Sequence, residues 1–205
     1  MSNEVLKESL KVVAFILAAG CSKRFGGKIK QLLPYKGKAI LQRVVDEACK
    51  SQADEVYIVL GCRWRTISRN IKARRAKIII NRNYERGLSS SIKTAVERAK
   101  MINADACIIL LGDQPFVNYR FINKIIDVFV DKADAAGVLS SYGEVIGTPA
   151  IIGKLLFDQV GKIAGDAGAK ALLGKREDVI RIDAPAEMLT DVDTEEDYRN
   201  LMKIQ

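Results

Sequence analysis

Short, continuous Ile- and Val-rich runs at residues 12–17, 55–60, 77–80, 106–111 and 179–182 constrain this chain more than any other feature. They are strand-sized and lack the polar alternation of a strand with one wet face. Such runs read as strands covered on both faces. Amphipathic helical patterns lie between them. Residues 39–51 bring Ile40, Val44, Val45 and Ala48 to one side, and 89–101 do the same with Ile92, Ala95, Val96 and Ala99. Residues 120–130 repeat the pattern with Ile122, Ile125, Ile126 and Phe129. Asp193-Thr194 offers N-cap candidates for a last helix through Met202. Alternating strand and helix predicts a Rossmann-like three-layer α/β sandwich, a mostly parallel sheet with helices on both faces. Ligands of such sheets sit beyond the carboxyl ends of the strands.

With 205 residues, 48% of them apolar, the chain can bury the core of one large domain. It has no repeat, low-complexity tract or Pro/Gly/Ser-rich linker. Residues 1–10 read as a polar lead-in and 11–205 as a single domain. No apolar run reaches membrane-spanning length. Ala18-Ala19-Gly20-Cys21 resembles a bacterial lipoprotein cleavage box, but Glu4 and Glu8 cancel Lys7 and Lys11, so no basic region precedes it. A cytoplasmic protein is expected. Cys21, Cys49, Cys62 and Cys107 are scattered, without a Cys-x-x-Cys pair, and are expected to be reduced thiols. Histidine is absent, which excludes Ser-His-Asp and Cys-His catalysis and His-ligated metals. Much of the +8 net charge lies in Arg63-Trp64-Arg65, Arg69, Lys72, Arg74-Arg75 and Lys77. That run reads as a solvated helix face rather than a nucleic-acid patch, and the positive balance suits a polyphosphate substrate.

The first strand runs into Leu17-Ala18-Ala19-Gly20-Cys21-Ser22-Lys23-Arg24-Phe25-Gly26, with Lys30 following. Gly20 and Gly26 let the backbone approach phosphate oxygens, its N–H groups can donate to them, and Arg24 and Lys30 can neutralise their charge. The fourth strand delivers Gly112-Asp113-Gln114-Pro115 to the same end of the sheet. Asp113 suits Mg²⁺, which favours one or two carboxylates plus substrate phosphates; a turn Asp bonding local N–H groups is the other reading. After the third strand, Asn81 and Gly87-Leu88-Ser89-Ser90-Ser91 open a helix. There Ser89 is either an N-cap or a nucleotide contact. Asp166 and Lys170, in Gly165-Asp166-Ala167-Gly168-Ala169-Lys170, read locally as an N-cap and a surface residue, and Asp191 and Asp193 as caps of the last helix.

Together these motifs resemble the MobA-like nucleotidyltransferases, and most closely the molybdenum cofactor cytidylyltransferases, from about Val12 to the C-terminus. The resemblance rests on Leu-Ala-Ala-Gly-x-Ser-x-Arg-x-Gly, Asn81…Gly87-x-Ser-x-Ser, Leu111-Gly112-Asp113-Gln114-Pro115, Gly147-x-Pro149, Gly165-Asp166-x-Gly168-Ala169 and Asp191-x-Asp193-Thr194. It implies a fold of the nucleotide-diphospho-sugar transferase type. It also implies that Leu17, Ala18, Ala19, Gly20, Ser22 and Gly26 hold base and triphosphate, with Arg24 and Lys30 on the phosphates. Asn81, Gly87, Ser89 and Ser90 would contact the nucleotide. Asp113 would bind Mg²⁺, joined by Asp193 or else Asp191. Leu-Ala-Ala-Gly goes with cytosine in this family and Leu-Ala-Gly-Gly with guanine, so Ala19 favours CTP.

The expected reaction is Mg²⁺-dependent transfer of CMP from CTP to the terminal phosphate of molybdenum cofactor (molybdopterin), catalysed by Arg24, Lys30 and Asp113. A molybdenum hydroxylase apoenzyme is the expected transient partner, with no nucleic acid or membrane. This chain departs from the family pattern at several positions. An extra residue between Gly26 and Lys30 leaves Lys28 as a rival phosphate lysine, Thr148 replaces a frequent His, and Glu195 replaces a frequent Pro. Transfer to another phosphorylated small molecule, guanylyl transfer and a non-catalytic nucleotide- or cofactor-binding module are the competing readings.

Overall fold

The computed structural model describes residues 10–22, 24–132 and 134–204; apart from Leu10, the expected polar lead-in lies outside the described residues. In chain order the elements are β1 (Val12–Ala18), β2 (Pro34–Tyr35), β3 (Lys38–Ala39), α1 (Ile40–Lys50), β4 (Glu55–Leu60), α2 (Trp64–Asn70) and β5 (Lys77–Ile80). There follow α3 (Leu88–Met101), β6 (Ala106–Leu111), α4 (Tyr119–Asp131), β7 (Gly137–Tyr142), β8 (Val145–Gly153), α5 (Ala169–Leu173), β9 (Val179–Asp183) and α6 (Glu195–Leu201). Among the described residues no helix is long and apolar enough to cross a membrane.

A seven-stranded sheet runs β5-β4-β1-β6-β8-β7-β9. β1 pairs in parallel with both β4 and β6, so it lies in the interior of the sheet and its C-terminal end opens on a crevice. β8 is antiparallel to β6 and β7, which makes the sheet mixed. The β7–β8 hairpin is absent from the reading of the sequence above. Its register shifts between Leu139 and Ser140, where Pro149 cannot donate to the ladder and Ser140 Oγ donates to the Pro149 carbonyl at 2.6 Å.

Alternation along β1 divides the core into two layers. Val12, Ala14, Ile16 and Ala18 pack against α1, α2 and α4. Val13, Phe15 and Leu17 pack against α3, α5 and the 3-10 segment Lys154–Lys162. Each face needs helical cover because the strands are apolar on both sides. A smaller cluster joins Phe25, Tyr35, Ile40, Val192 and Leu201. Phe25 is fully buried there, so an apolar anchor in the Gly-rich loop is packed against the C-terminal segment.

Candidate active site

A cavity of about 730 Å³ lies beyond the ends of β1 and β6. Leu17, Ala18, Ala19, Gly20 and Ser22 line one side. Asp113 enters from the tip of β6, Asp191 and Asp193 from the turn before α6, and Gly87, Leu88 and Ser91 from the start of α3.

Lys30 sits where these segments meet. Its Nζ donates to Asp113 Oδ2 at 2.5 Å and to Asp193 Oδ1 at 2.6 Å. Burial works against its ammonium, but Asp113 and then Asp193 outweigh that cost and raise its pKa above the ordinary lysine value. Lys28 points elsewhere, pairing with Glu195 in an exposed ion pair at 3.1 Å. The other oxygen of Asp113, Oδ1, is buried and unpartnered. Asp191 keeps much of its surface in water, yet partial desolvation, then Asp193 and Asp113, push its carboxyl above the usual aspartate range.

Local hydrogen bonds set these positions. Gln31, which the sequence reading overlooked, is buried behind the loop; its Nε2 donates to the Gly20 carbonyl at 3.1 Å. Its Oε1 accepts from Ser22 Oγ, and Ser22 Oγ accepts the Lys30 N–H at 3.1 Å. The loop is therefore braced from within, and Lys30 is placed by its own backbone. No local pattern marks Gln31 for this role. In the C-terminal turn, Thr194 and Asp197 form a capping box at the start of α6, and Asp197 Oδ2 also accepts the Asp193 N–H. That leaves the Asp193 carboxylate free to reach Lys30.

Arg24 and Gly26 lie on exposed loop surface outside the cavity lining. Asn81, Ser89 and Ser90 are buried behind it. Asn81 Nδ2 donates to Ser90 Oγ at 2.8 Å and to Ser91 Oγ at 3.1 Å, so Asn81 organises the helix start from beneath while Ser91 faces the cavity. The residue capping α3 is Gly87 rather than Ser89, and Gly168 rather than Asp166 precedes α5. Asp166 instead lines the cavity and its Oδ1 accepts weakly from the Leu88 N–H at 3.4 Å. Gly87 has a φ of +86°, and an added Cβ would come within 2.5 Å of the Gly165 backbone, so glycine is required for this closure.

The expectation of reduced cysteines is corrected for one pair: Cys21 and Cys62 form a disulfide, Cα to Cα 5.0 Å. β1 and β4 are neighbours in parallel register, so their C-terminal loops meet although 41 residues separate the two cysteines. Cys49 and Cys107 remain free.

A Gly-rich loop after the central strand, a lysine held by two carboxylates and a cavity large enough for a nucleotide suit phosphate chemistry. The MobA-like NTP transferase domain matches residues 14–179. The chain belongs to this family. Membership supports a nucleotidyltransferase-type enzyme, and members of the family bind nucleoside triphosphates and small phosphorylated acceptors.

Members resembling it carry diverse names. Nicotine blue oxidoreductase of Paenarthrobacter nicotinovorans is 26% identical, aligned over 93% of this chain and 96% of its own. The purine catabolism protein PucB of Bacillus subtilis is 27% identical over 91% of this chain and 94% of its own. The crystal structure of Rv0371c from Mycobacterium tuberculosis superposes with a TM-score of 0.82 at 26% identity, covering 95% of this chain and 99% of that one. Rv0371c is also known as a manganese complex.

Proposed function

We propose that this protein transfers CMP from CTP to the terminal phosphate of molybdenum cofactor (molybdopterin), releasing pyrophosphate. The meeting of Lys30, Asp113 and Asp193 beside a Leu-Ala-Ala-Gly loop carries this reading. An oxygen of the acceptor phosphate forms a bond to the α-phosphorus of CTP. The bond from that phosphorus to the bridging oxygen breaks, and pyrophosphate leaves with the electron pair. The acceptor is already an anion, so no protein nucleophile is needed, in keeping with a histidine-free chain. The work left to the protein is positioning and charge neutralisation.

Each residue then has a task. The backbone of 18–22 receives the base and triphosphate, and Ala19 constrains the approach of the base. Lys30, kept charged by its carboxylate neighbours, orients phosphate oxygens. Arg24, on the exposed part of the loop, meets the outer phosphates. Asn81 and Ser90 act indirectly by fixing Gly87 and Ser91, and the Ser89 N–H ties the start of α3 to the Gly165 carbonyl.

A hard divalent cation fits the donor set. Among the described residues no preformed cage of three or more His, Cys, Asp or Glu exists, but Asp113 Oδ1 is buried without a partner. Mg²⁺ takes one or two carboxylates and completes its shell with phosphates and water. Held by Asp113 and Asp193, it would supply charge neutralisation to the triphosphate. The manganese complex of Rv0371c supports a divalent site in this fold. Asp191 lies in reach of the same position as an alternative to Asp193.

The test is pyrophosphate release with Mg²⁺, comparing CTP, GTP, ATP and UTP with and without molybdenum cofactor. Release that requires the cofactor and prefers CTP is expected. A preference for GTP would replace cytidylyl by guanylyl transfer. Release with a sugar phosphate but not the cofactor would reassign the acceptor, and CTP binding without release under any condition would make this a binding module. The unlike names of relatives sharing this fold are the reason for a broad acceptor screen.

A further inference from the structure

We propose that Cys21 and Cys62 form a redox-modifiable pair whose oxidation state sets the affinity of the nucleotide loop. Cys21 follows Gly20 and lines the cavity, so it belongs to the surface a nucleotide would meet. Cys62 lies just beyond β4. Next to the disulfide, the Cys62 N–H donates to the Ala19 carbonyl at 3.0 Å, and Arg63 Nη1 donates to the Gly27 carbonyl at 2.5 Å. Two consecutive residues of the β4 loop thus hold both ends of the Gly-rich loop.

The segment they hold has little regular structure of its own. Ser22, Gly26 and Gly27 take positive φ values of 54°, 53° and 91°. Among the described residues, the disulfide ties it covalently to the loop after β4, and the other ties to that loop are hydrogen bonds. Reduction removes that tie and leaves the loop held by Gln31, by packed Phe25 and by the hydrogen bonds from residues 62 and 63, so the freedom it gains is lost again when nucleotide binds, at an entropic cost to binding.

Access distinguishes this pair from the other cysteines. Cys21, on the cavity lining, and Cys62 are both half-buried, within reach of a reductant. Cys107 is wholly buried in β6, and burial pushes its thiol pKa up, which suppresses the reactive thiolate. Cys49 is half-buried, its Sγ 3.8 Å from the Ala73 carbonyl, away from the cavity. The exchange partner is a dithiol. One of its thiolates attacks a sulfur of the disulfide, the S–S bond breaks, and the resulting mixed disulfide is resolved by the second thiol. Two electrons and two protons pass to the protein, giving Cys21–SH and Cys62–SH, and the dithiol leaves as a disulfide.

This inference rests on the nucleotide reading of the cavity, so the test has two readouts. The Kd of CTP is measured by calorimetry for oxidised protein, for protein reduced with a phosphine, and for Cys62→Ser. Amide exchange of residues 19–28 is followed in the same samples, with melting curves confirming that each is folded. Reduction is expected to weaken CTP binding about tenfold and to speed exchange in the loop. Cys62→Ser should match the reduced protein and no longer respond to reductant, while Cys49→Ser keeps the full response. Equal CTP affinity in oxidised and reduced protein overturns the inference and leaves the nucleotide reading standing. If neither form binds CTP, the nucleotide reading fails instead. Loop exchange then decides alone whether the pair controls the loop, and unchanged exchange overturns the inference.

Discussion

Lys30 Nζ lies 2.5 Å from Asp113 Oδ2 although 83 residues separate them in the chain. The contact joins the loop after the central strand to the tip of its neighbour, and a second bond to Asp193 adds the C-terminal turn. Three remote segments are thereby fixed on one ammonium group.

Lys30→Met is expected to lower kcat/KM about a hundredfold or more, the scale seen when a preorganised charge is removed from a transition state. Lys28→Met removes only an exposed pair with Glu195 and should cost less than about fivefold. Steady-state kinetics on the two variants decides between the lysines. Equal losses would show that the loop rearranges when nucleotide binds.

Asp113→Ala should abolish turnover by about a thousandfold while far-UV circular dichroism stays unchanged. It removes a half-orphaned carboxylate and leaves Lys30 paired with Asp193. Mg²⁺-dependent activity surviving in this variant would overturn the proposed role of Asp113 as a metal ligand.

Asp191→Asn should raise the melting temperature by at most a few degrees at neutral pH. Folding raises the Asp191 pKa, so its ionised form costs stability once the pH exceeds the folded-state value. The benefit of the substitution should therefore vanish in acid, below the usual aspartate pKa. A melting series across that range shows whether it does. Asp193→Asn, which loses a bond to Lys30, should instead reduce activity more than Asp191→Asn does.

Glu55 governs part of the acid limb of stability. Lys77, Lys11 and Tyr57 bond its carboxylate and lower its pKa from 4.5 to about 2. The ionised group thus stabilises the fold above the ordinary glutamate pKa, and that contribution is lost as the pH falls from about 4.5 towards about 2. Urea midpoints for Glu55→Gln should fall less steeply over this interval than those of the parent. Parallel curves would mean that the bonds linking β1, β4 and β5 through Glu55 persist when it is protonated.

Gly61→Ala should destabilise the protein by about 1–3 kcal/mol, the usual penalty for forcing a methyl into a filled space. The new Cβ would lie 2.5 Å from Tyr84 Cβ and 2.8 Å from the Ala19 carbonyl oxygen. Because Ala19 belongs to the loop proposed to receive the nucleotide, a rise in the Kd of CTP should accompany the lower melting temperature.

The central strands and the main helices were legible because their side chains are apolar in simple periods. Residues 106–111 and 55–60, expected as strands from composition alone, are β6 and β4. The β7–β8 hairpin was not legible. Ser140-Ser141-Tyr142-Gly143-Glu144 breaks its apolar pattern, and Pro149 argues against a strand that in fact survives through an irregular register. At the site, Asp113 and the Gly-rich loop stood out because glycine and a strand-tip carboxylate leave local marks. Gln31 and the Cys21–Cys62 pair did not, since their roles arise from tertiary meetings that no local spacing encodes. Lys28 stayed a rival to Lys30 because the turn that separates their directions depends on Ser22 and Gln31.

Phe25 and Val192 share one apolar cluster, and Asp193 completes the grip on Lys30. A ribosome makes the first half of this machinery long before the second. Until residues 192 and 193 have been synthesised, Phe25 lacks part of its apolar cover and Lys30 its second carboxylate, so this junction closes late in synthesis. A nascent or prematurely terminated chain ending before Asp193 would contain every strand of the sheet yet lack the second carboxylate on Lys30, so the scaffold is written into the chain ahead of the contact that closes it.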